Sequence, residues 1–96
     1  MVRLDSTASP VEAGRTMKYW IYILKSQNVS KSYVGMTDNL NRRLTEHNSG
    51  KHFYTKRYMP WEIVHTEEFL NRADAHNREK YLKSAAGRLF MRKNIF

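Results

Sequence analysis

The sequence contains no cysteine. Disulfides and cysteine-ligated zinc are therefore excluded, which suits a reducing compartment and gives a cytoplasmic expectation. No apolar run approaches the roughly 18 residues of a membrane span. The N-terminus lacks the basic segment and following apolar segment of a secretory signal. Acidic residues are scarce: nine Asp and Glu stand against seventeen Lys and Arg, leaving a formal charge of +8. Such a field attracts polyanions, nucleic acid first and an anionic membrane second. The basic residues are mixed with aromatics, as in Tyr54, Lys56, Arg57 and Tyr58. Aromatic faces beside cations suit bases beside phosphates. The alternative is a charge that serves only solubility.

What remains is enough for one small domain. Of 96 residues, 41% are hydrophobic and 12% aromatic. A domain of this size buries only about 60% of its unfolded surface and needs an efficient core. Residues 1–16 carry Ser, Thr, Ala, Pro and Gly without apolar periodicity and are expected to be a disordered leader. Residues 17–96 are the expected folding unit.

Tyr19 to Lys25 is an apolar and aromatic run of strand formers, and Ser32 to Met36 is a second. The polar stretch between them makes the pair a β-hairpin. Thr37 or Asp38 is expected to cap a helix over DNLNRRLTEHN, which Gly50 stops. Leu40 and Leu44 form its apolar stripe. Trp61 to Phe69 contains a third strand. Asn71 starts a second helix, with Asp74 placed to reach back to it as in a capping box. Gly87 is expected to break or bend the helical pattern, and Leu89 to Met91 lie in a last short helix ending in Arg92 and Lys93. The order predicts an α+β fold: a small three-stranded antiparallel sheet flanked by helices.

Four places could carry chemistry. Tyr22 and Tyr33 lie in the hairpin strands, and Gly35 shares a face with Tyr33. A glycine in a strand marks close approach of a ligand or backbone, although strand tyrosines also serve packing. Arg43 and His47 are four apart and stack on one helix face beside the Leu40/Leu44 stripe, while Arg42 points to solvent. Arg43 suits a phosphate held by a planar fork; equally, its stem can cover the core edge. Glu79 falls on the face of Ala75 and Leu82, where a carboxylate needs a partner. A metal ion would serve, and so would Arg78 or Lys83. The stretch KHFYTKRY, with Lys51, Lys56 and Arg57, is either a surface that tracks a nucleic-acid strand or an ordinary solvated loop. His65, His76 and their neighbours have no firm metal-ligand spacing and receive no role.

Taken in order, these residues resemble the GIY-YIG nuclease superfamily, above all its small stand-alone bacterial members. Trp20-Ile21-Tyr22 stands at the first triplet and Tyr33-Val34-Gly35 at the second. Asn39 to Leu44 with His47-Asn48-Ser49-Gly50 is similar to the family's catalytic helix. Glu79-Lys80-Tyr81-Leu82-Lys83 is similar to the helix bearing the metal ligand. The resemblance runs from about Lys18 to Lys93. Trp20 departs from the glycine of the first triplet, and the family's late asparagine has no clear match in the Arg88 to Lys93 region.

The resemblance implies a divalent-metal-dependent endonuclease that hydrolyses phosphodiester bonds in DNA, structure-selective in repair or recombination. Glu79 would bind Mg²⁺ or Mn²⁺. Arg43 would stabilise charge on the phosphoryl oxygens. Tyr22 would take the proton of the attacking water, with Tyr33 or His47 positioning it. Lys51, Lys56 and Arg57 would supply affinity for DNA. The alternative is a non-catalytic nucleic-acid-binding module of the same fold. A protein partner or a homo-oligomer is left open, and no membrane is expected. Met17 opens the ordered-looking part and is expected to be the natural start. Mass spectrometry of the native protein tests this, and a mature N-terminus at Met1 or Val2 would overturn it.

Overall fold

The computed structural model describes residues 18–96; the expected leader and Met17 lie outside the described residues. The chain runs through β1 (Tyr19–Ser26), β2 (Ser32–Thr37), α1 (Leu40–Asn48), a 3-10 helix (Thr55–Tyr58), β3 (Trp61–Phe69), α2 (Arg72–Lys83) and α3 (Ala85–Asn94). The strands form one antiparallel sheet in the order β2-β1-β3, so the predicted α+β class holds.

The central position of β1 explains its composition. Both of its faces are covered, so Ile21, Tyr22, Ile23 and Leu24 are all buried and the strand reads as a continuous apolar run. Alternation divides these residues between two cores. Ile21 and Ile23 join Val34 and the helical residues Ala75, Leu82 and Met91 under α2 and α3. Tyr22 and Leu24 join Leu40 and Trp61 under α1. The β1–β3 register slips at one point: Ile23 faces His65 but Leu24 faces Ile63. Val64 is the extra residue of this bulge. The slip lets Ile63 pack with the Tyr22 cluster while Val64 packs with the opposite one.

The helix ends differ from expectation in instructive ways. α1 is capped by Asn39, whose side chain accepts from Arg42 N at 3.0 Å, and not by Thr37 or Asp38. Thr37 is still in β2, where its hydroxyl accepts Asn39 N–H at 3.0 Å. Asp38 is drawn to the Arg42 guanidinium at 3.0 Å. Gly50 ends α1 as predicted, with φ +83, a conformation that glycine adopts without steric cost. The reciprocal contact at the start of α2 is present in altered form: Asp74 N–H donates to Asn71 Oδ1, and the Asp74 carboxylate accepts from Asn71 Nδ2 at 2.9 Å. α2 is also fixed to the sheet by a fork from Arg78 to Glu67 on β3, at 2.8 and 3.0 Å. Burial pushes the Glu67 carboxyl up, but the hydrogen bonds from Arg78 and His65 outweigh it and hold it below the usual range.

Gly87 does not break a helix. Ser84 makes the break, with its side chain capping α3 at Gly87 N–H (3.2 Å). Gly87 is buried within the first turn of α3, and a Cβ there would collide with the Tyr81 carbonyl oxygen and Leu82 Cα. Its role is the close approach of α3 to the end of α2. Arg92 and Lys93 occupy the last turn of α3, where cations suit the helix dipole. Gly87→Ala forces these backbones apart, so a stability loss of about 2–3 kcal/mol is expected in chemical denaturation. An unchanged midpoint would refute the packing role.

Candidate active site

The buried end of α1 meets the sheet at Tyr22. His47 has 0% exposure, and its Nε2 lies 2.9 Å from the Tyr22 hydroxyl. Its Nδ1 lies 2.7 Å from the Thr55 hydroxyl in the 3-10 helix. Thr55 is itself fully buried and is fixed by its carbonyl, which accepts the Trp61 indole N–H at 2.8 Å. Trp61 in turn is clamped to α1: its N–H donates to Asn48 Oδ1 at 2.6 Å, and its carbonyl accepts from Asn48 Nδ2 at 3.1 Å. The line Trp61–Thr55–His47–Tyr22 thus ties β3, the 3-10 helix, α1 and β1 together through polar groups that burial obliges to pair.

Gly35 makes room for the phenol. It faces Tyr22 across the β1–β2 ladder, and a Cβ on it would collide with the Tyr22 hydroxyl and ring. The close approach expected at this glycine is therefore to Tyr22. Tyr33 stands on the same face, with ring centroids 6.3 Å from Tyr22 and 5.0 Å from His47. His52 completes the group: its centroid is 4.6 Å from that of His47, and its Nε2 is 3.4 Å from the Tyr33 hydroxyl. Tyr54 stacks on Tyr33 at 6.2 Å.

Arg43 is about two-thirds buried beside this cluster. Its Nη1 pairs with Glu46 at 3.2 Å, while its buried Nε has no partner among the described residues. Glu79 approaches from α2, with its side chain only 17% exposed. One carboxylate oxygen holds Lys83 Nζ at 3.0 Å and the other lies 3.8 Å from His76 Nδ1. Lys83 also sits over the Tyr33 ring at 5.9 Å. Of the ion-pair partners open to Glu79 from the sequence, Lys83 is the one realised, because Arg78 is committed to Glu67.

These charges set the state of the two central groups. Burial pushes the Tyr22 phenol well above its ordinary range; Tyr33, Glu79 and Glu46 add to this and Arg43 opposes it. Burial likewise lowers His47 to about 4, helped by His52 and Arg43 and opposed by Glu46. At neutral pH the centre is a protonated phenol bonded to a neutral imidazole. Desolvation disfavours a standing phenolate, the simplest form of a tyrosine base.

Tyr22, Tyr33, Arg43, His47 and Glu79 thus converge. His47 goes further inside than its helix position suggests, because the 3-10 helix closes over it. The segment after α1 is no simple solvated loop: Thr55 is buried, while Lys56 and Arg57 flank the ring of the 71%-exposed Phe53, each at 5.4 Å. Lys51 stands apart from the cluster, in a cavity along α1 with Arg42 and Glu46. Nothing in the sequence singles out His52 or Thr55. No periodicity marks a residue within a short irregular segment, and only its polar-aromatic mixture stands out. His65 is taken up by Glu67 at 2.9 Å, in keeping with the absence of a role for it.

Among the described residues, no group of three or more His, Asp or Glu side chains forms a ready-made metal cage. One shielded carboxylate, Glu79, whose charge reaches Tyr22 is still a fitting ligand for Mg²⁺, which keeps waters and takes phosphate oxygens for most of its shell.

Residues 18–94 match a family described as the GIY-YIG catalytic domain. A UPF0213 protein of Natronomonas pharaonis is 37% identical over 67 residues, covering 69% of this chain and 78% of that protein. One of Clostridium perfringens is 40% identical over 65 residues, covering 67% and 69%. The solution structure of a UPF0213 protein of Bacillus halodurans superposes with a TM-score of 0.50 at 29% identity, covering 80% of this chain and 84% of that one.

The lowered value of His47 has a consequence for stability. Between about pH 4 and 6.5 the unfolded chain binds a proton at this residue that the folded chain refuses. Stability present above pH 6.5 is thus lost as pH falls, by up to about 3 kcal/mol from this group. NMR titration should find the His47 ring neutral down to about pH 5, with the unfolding midpoint falling below pH 6.5. An imidazole that protonates near its ordinary value would contradict the buried relay.

Proposed function

The chain belongs to the GIY-YIG catalytic-domain family, and on that premise we propose that it is a divalent-metal-dependent endonuclease cutting phosphodiester bonds in DNA. The observation that carries this reading is the buried Tyr22–His47 hydrogen bond with Arg43 and Glu79 beside it. A purely structural cluster has no need of an arginine with an unpartnered buried Nε or of a carboxylate whose charge reaches a phenol.

Glu79 would hold one Mg²⁺ or Mn²⁺, exchanging its contact with Lys83 for the ion. The bound ion supplies charge neutralisation at the phosphate and at the leaving oxygen. Arg43, about one-third exposed, would meet the non-bridging phosphate oxygens through its guanidinium, where negative charge grows in the transition state. Tyr22 acts as a relay. Its hydroxyl takes a proton from the attacking water while passing its own to His47 Nε2; His47 carries its other proton on Nδ1, toward Thr55. The new P–O bond forms as the bond to the leaving oxygen breaks, solvent protonates that oxygen, and His47 then returns its extra proton through Tyr22 to solvent. No free phenolate is required, which accords with the raised Tyr22 value. Tyr33 and His52 hold His47 in place by ring contact.

Phe53 between Lys56 and Arg57 would contact the nucleic acid beyond the cleft, an exposed ring for a base and cations for phosphates. Specificity then comes from DNA shape, as suits a repair or recombination substrate. The rival reading, a binding module without turnover, draws on the Lys83–Glu79 ion pair, which leaves the carboxylate already matched.

Labelled single-stranded, nicked, flapped and branched DNAs with Mg²⁺ or Mn²⁺ decide between them. Cleavage abolished by EDTA, and reduced about 100-fold or more in Tyr22→Phe and Glu79→Ala, is expected. Intact DNA in every lane, with binding indifferent to metal, would leave the binding module.

A further inference from the structure

A second cavity, of about 440 Å³, lies between the β1–β2 turn and α3. Its volume falls within the roughly 300–1,000 Å³ of ligand-sized clefts. By strand alternation Lys25 continues the row of Ile21 and Ile23, so the cavity lies on the α2–α3 side of the sheet, opposite Tyr22. Lys25 and Lys31 come from the hairpin, Arg88 and Arg92 from α3, and Met91 and Phe96 supply apolar surface.

The charge arrangement is what calls for a ligand. Arg88 and Arg92 are four apart on one helix, a like-charge spacing that weakens a helix by a few tenths of a kcal/mol. Lys25 from the hairpin adds a third cation, and no acidic side chain among the described residues lines the cavity. Glu62 faces Lys25 across the β1–β3 ladder but is not part of the cavity wall. Lys31 lies over the Tyr58 ring, at 5.5 Å. Arg88, Arg92 and Lys25, with the exposed Phe96 ring beside them, match the chemistry of single-stranded nucleic acid.

We propose that this cavity is a second nucleic-acid site, in which Arg88, Arg92 and Lys25 hold the phosphodiester backbone of a single strand while a base lies on Phe96. It rests on the nucleic-acid part of the function proposed above but not on turnover. A strand anchored there and cut at Tyr22 has to pass round the sheet. Substrates with a single-stranded arm would therefore be favoured over plain duplex.

The test is binding of a fluorescent single-stranded DNA of mixed sequence to the full chain in EDTA over a range of salt. Arg88→Gln/Arg92→Gln should melt close to the wild type, since the relieved repulsion offsets the lost interaction of Arg92 with the helix dipole. Its log-affinity against log-salt slope should fall by about 1.4, with affinity near 0.1 M salt down about tenfold. Phe96→Ala should lose affinity several-fold with an unchanged slope. Wild-type slope and affinity in the folded double variant would overturn the proposal, as would equal loss for blunt duplex and single strand. Failure of the nuclease reading looks different: no variant or wild type cuts DNA, while the salt slopes still separate.

Discussion

His47 has no exposed surface, yet both of its ring nitrogens have a hydroxyl partner, Tyr22 on one side and Thr55 on the other. An imidazole inside a small core is tolerable only on that condition, because an unpaired buried polar group costs about 1–3 kcal/mol. The pairing fixes where α1 sits on the sheet. It also fixes the path of the 3-10 helix, since Thr55 has to arrive with its hydroxyl inward. Trp61 and Asn48 close the loop by bonding Thr55 and the start of β3. The polar line therefore serves as the frame of one face of the molecule and as its candidate reactive centre.

The two faces of the sheet divide the work. The α2–α3 face has an apolar core and is packed to contact where α3 meets α2, so that Gly87 tolerates no side chain, and it opens to the cationic cavity beside the hairpin. The α1 face is richer in aromatics and polar groups, with Tyr22, Tyr33, His47 and His52 gathered where an all-aliphatic core would be more stable. Desolvation keeps both central groups uncharged, His47 by lowering and Tyr22 by raising its value. A proton handed from the phenol to the imidazole charges His47, so the proposed hydrolysis needs that charge to last only as long as the step.

The net charge of +8 is not spread evenly in effect. Around α1 and α2, cations are matched by carboxylates: Arg42 with Asp38, Arg43 with Glu46, Lys83 with Glu79, Arg78 with Glu67. Other cations lie beside aromatic rings, at Phe53 and around the hairpin–α3 cavity. The proposed nucleic-acid surface rests on these uncompensated cations.

The sequence by itself determined the elements and the chemistry available. The unbroken apolar run of β1 specified a strand, and Leu40 with Leu44 specified which side of α1 goes inward. The ordered series Tyr22, Tyr33, Arg43, His47 and Glu79 is enough to name the candidate site residues. These signals are local or periodic, so one dimension suffices to carry them. Only the tertiary structure decided which cap α1 uses, that Gly35 exists to seat the Tyr22 ring, and that Gly87 joins two helices. It alone brought His52 and Thr55 to His47, and Lys83 to Glu79. It alone set the protonation states, because these depend on how completely water is excluded, and water is excluded by residues distant in the chain. Lys25 and Arg92 share a cavity for the same reason: their nearness is made by a strand pairing and a helix packing that no short-range pattern records.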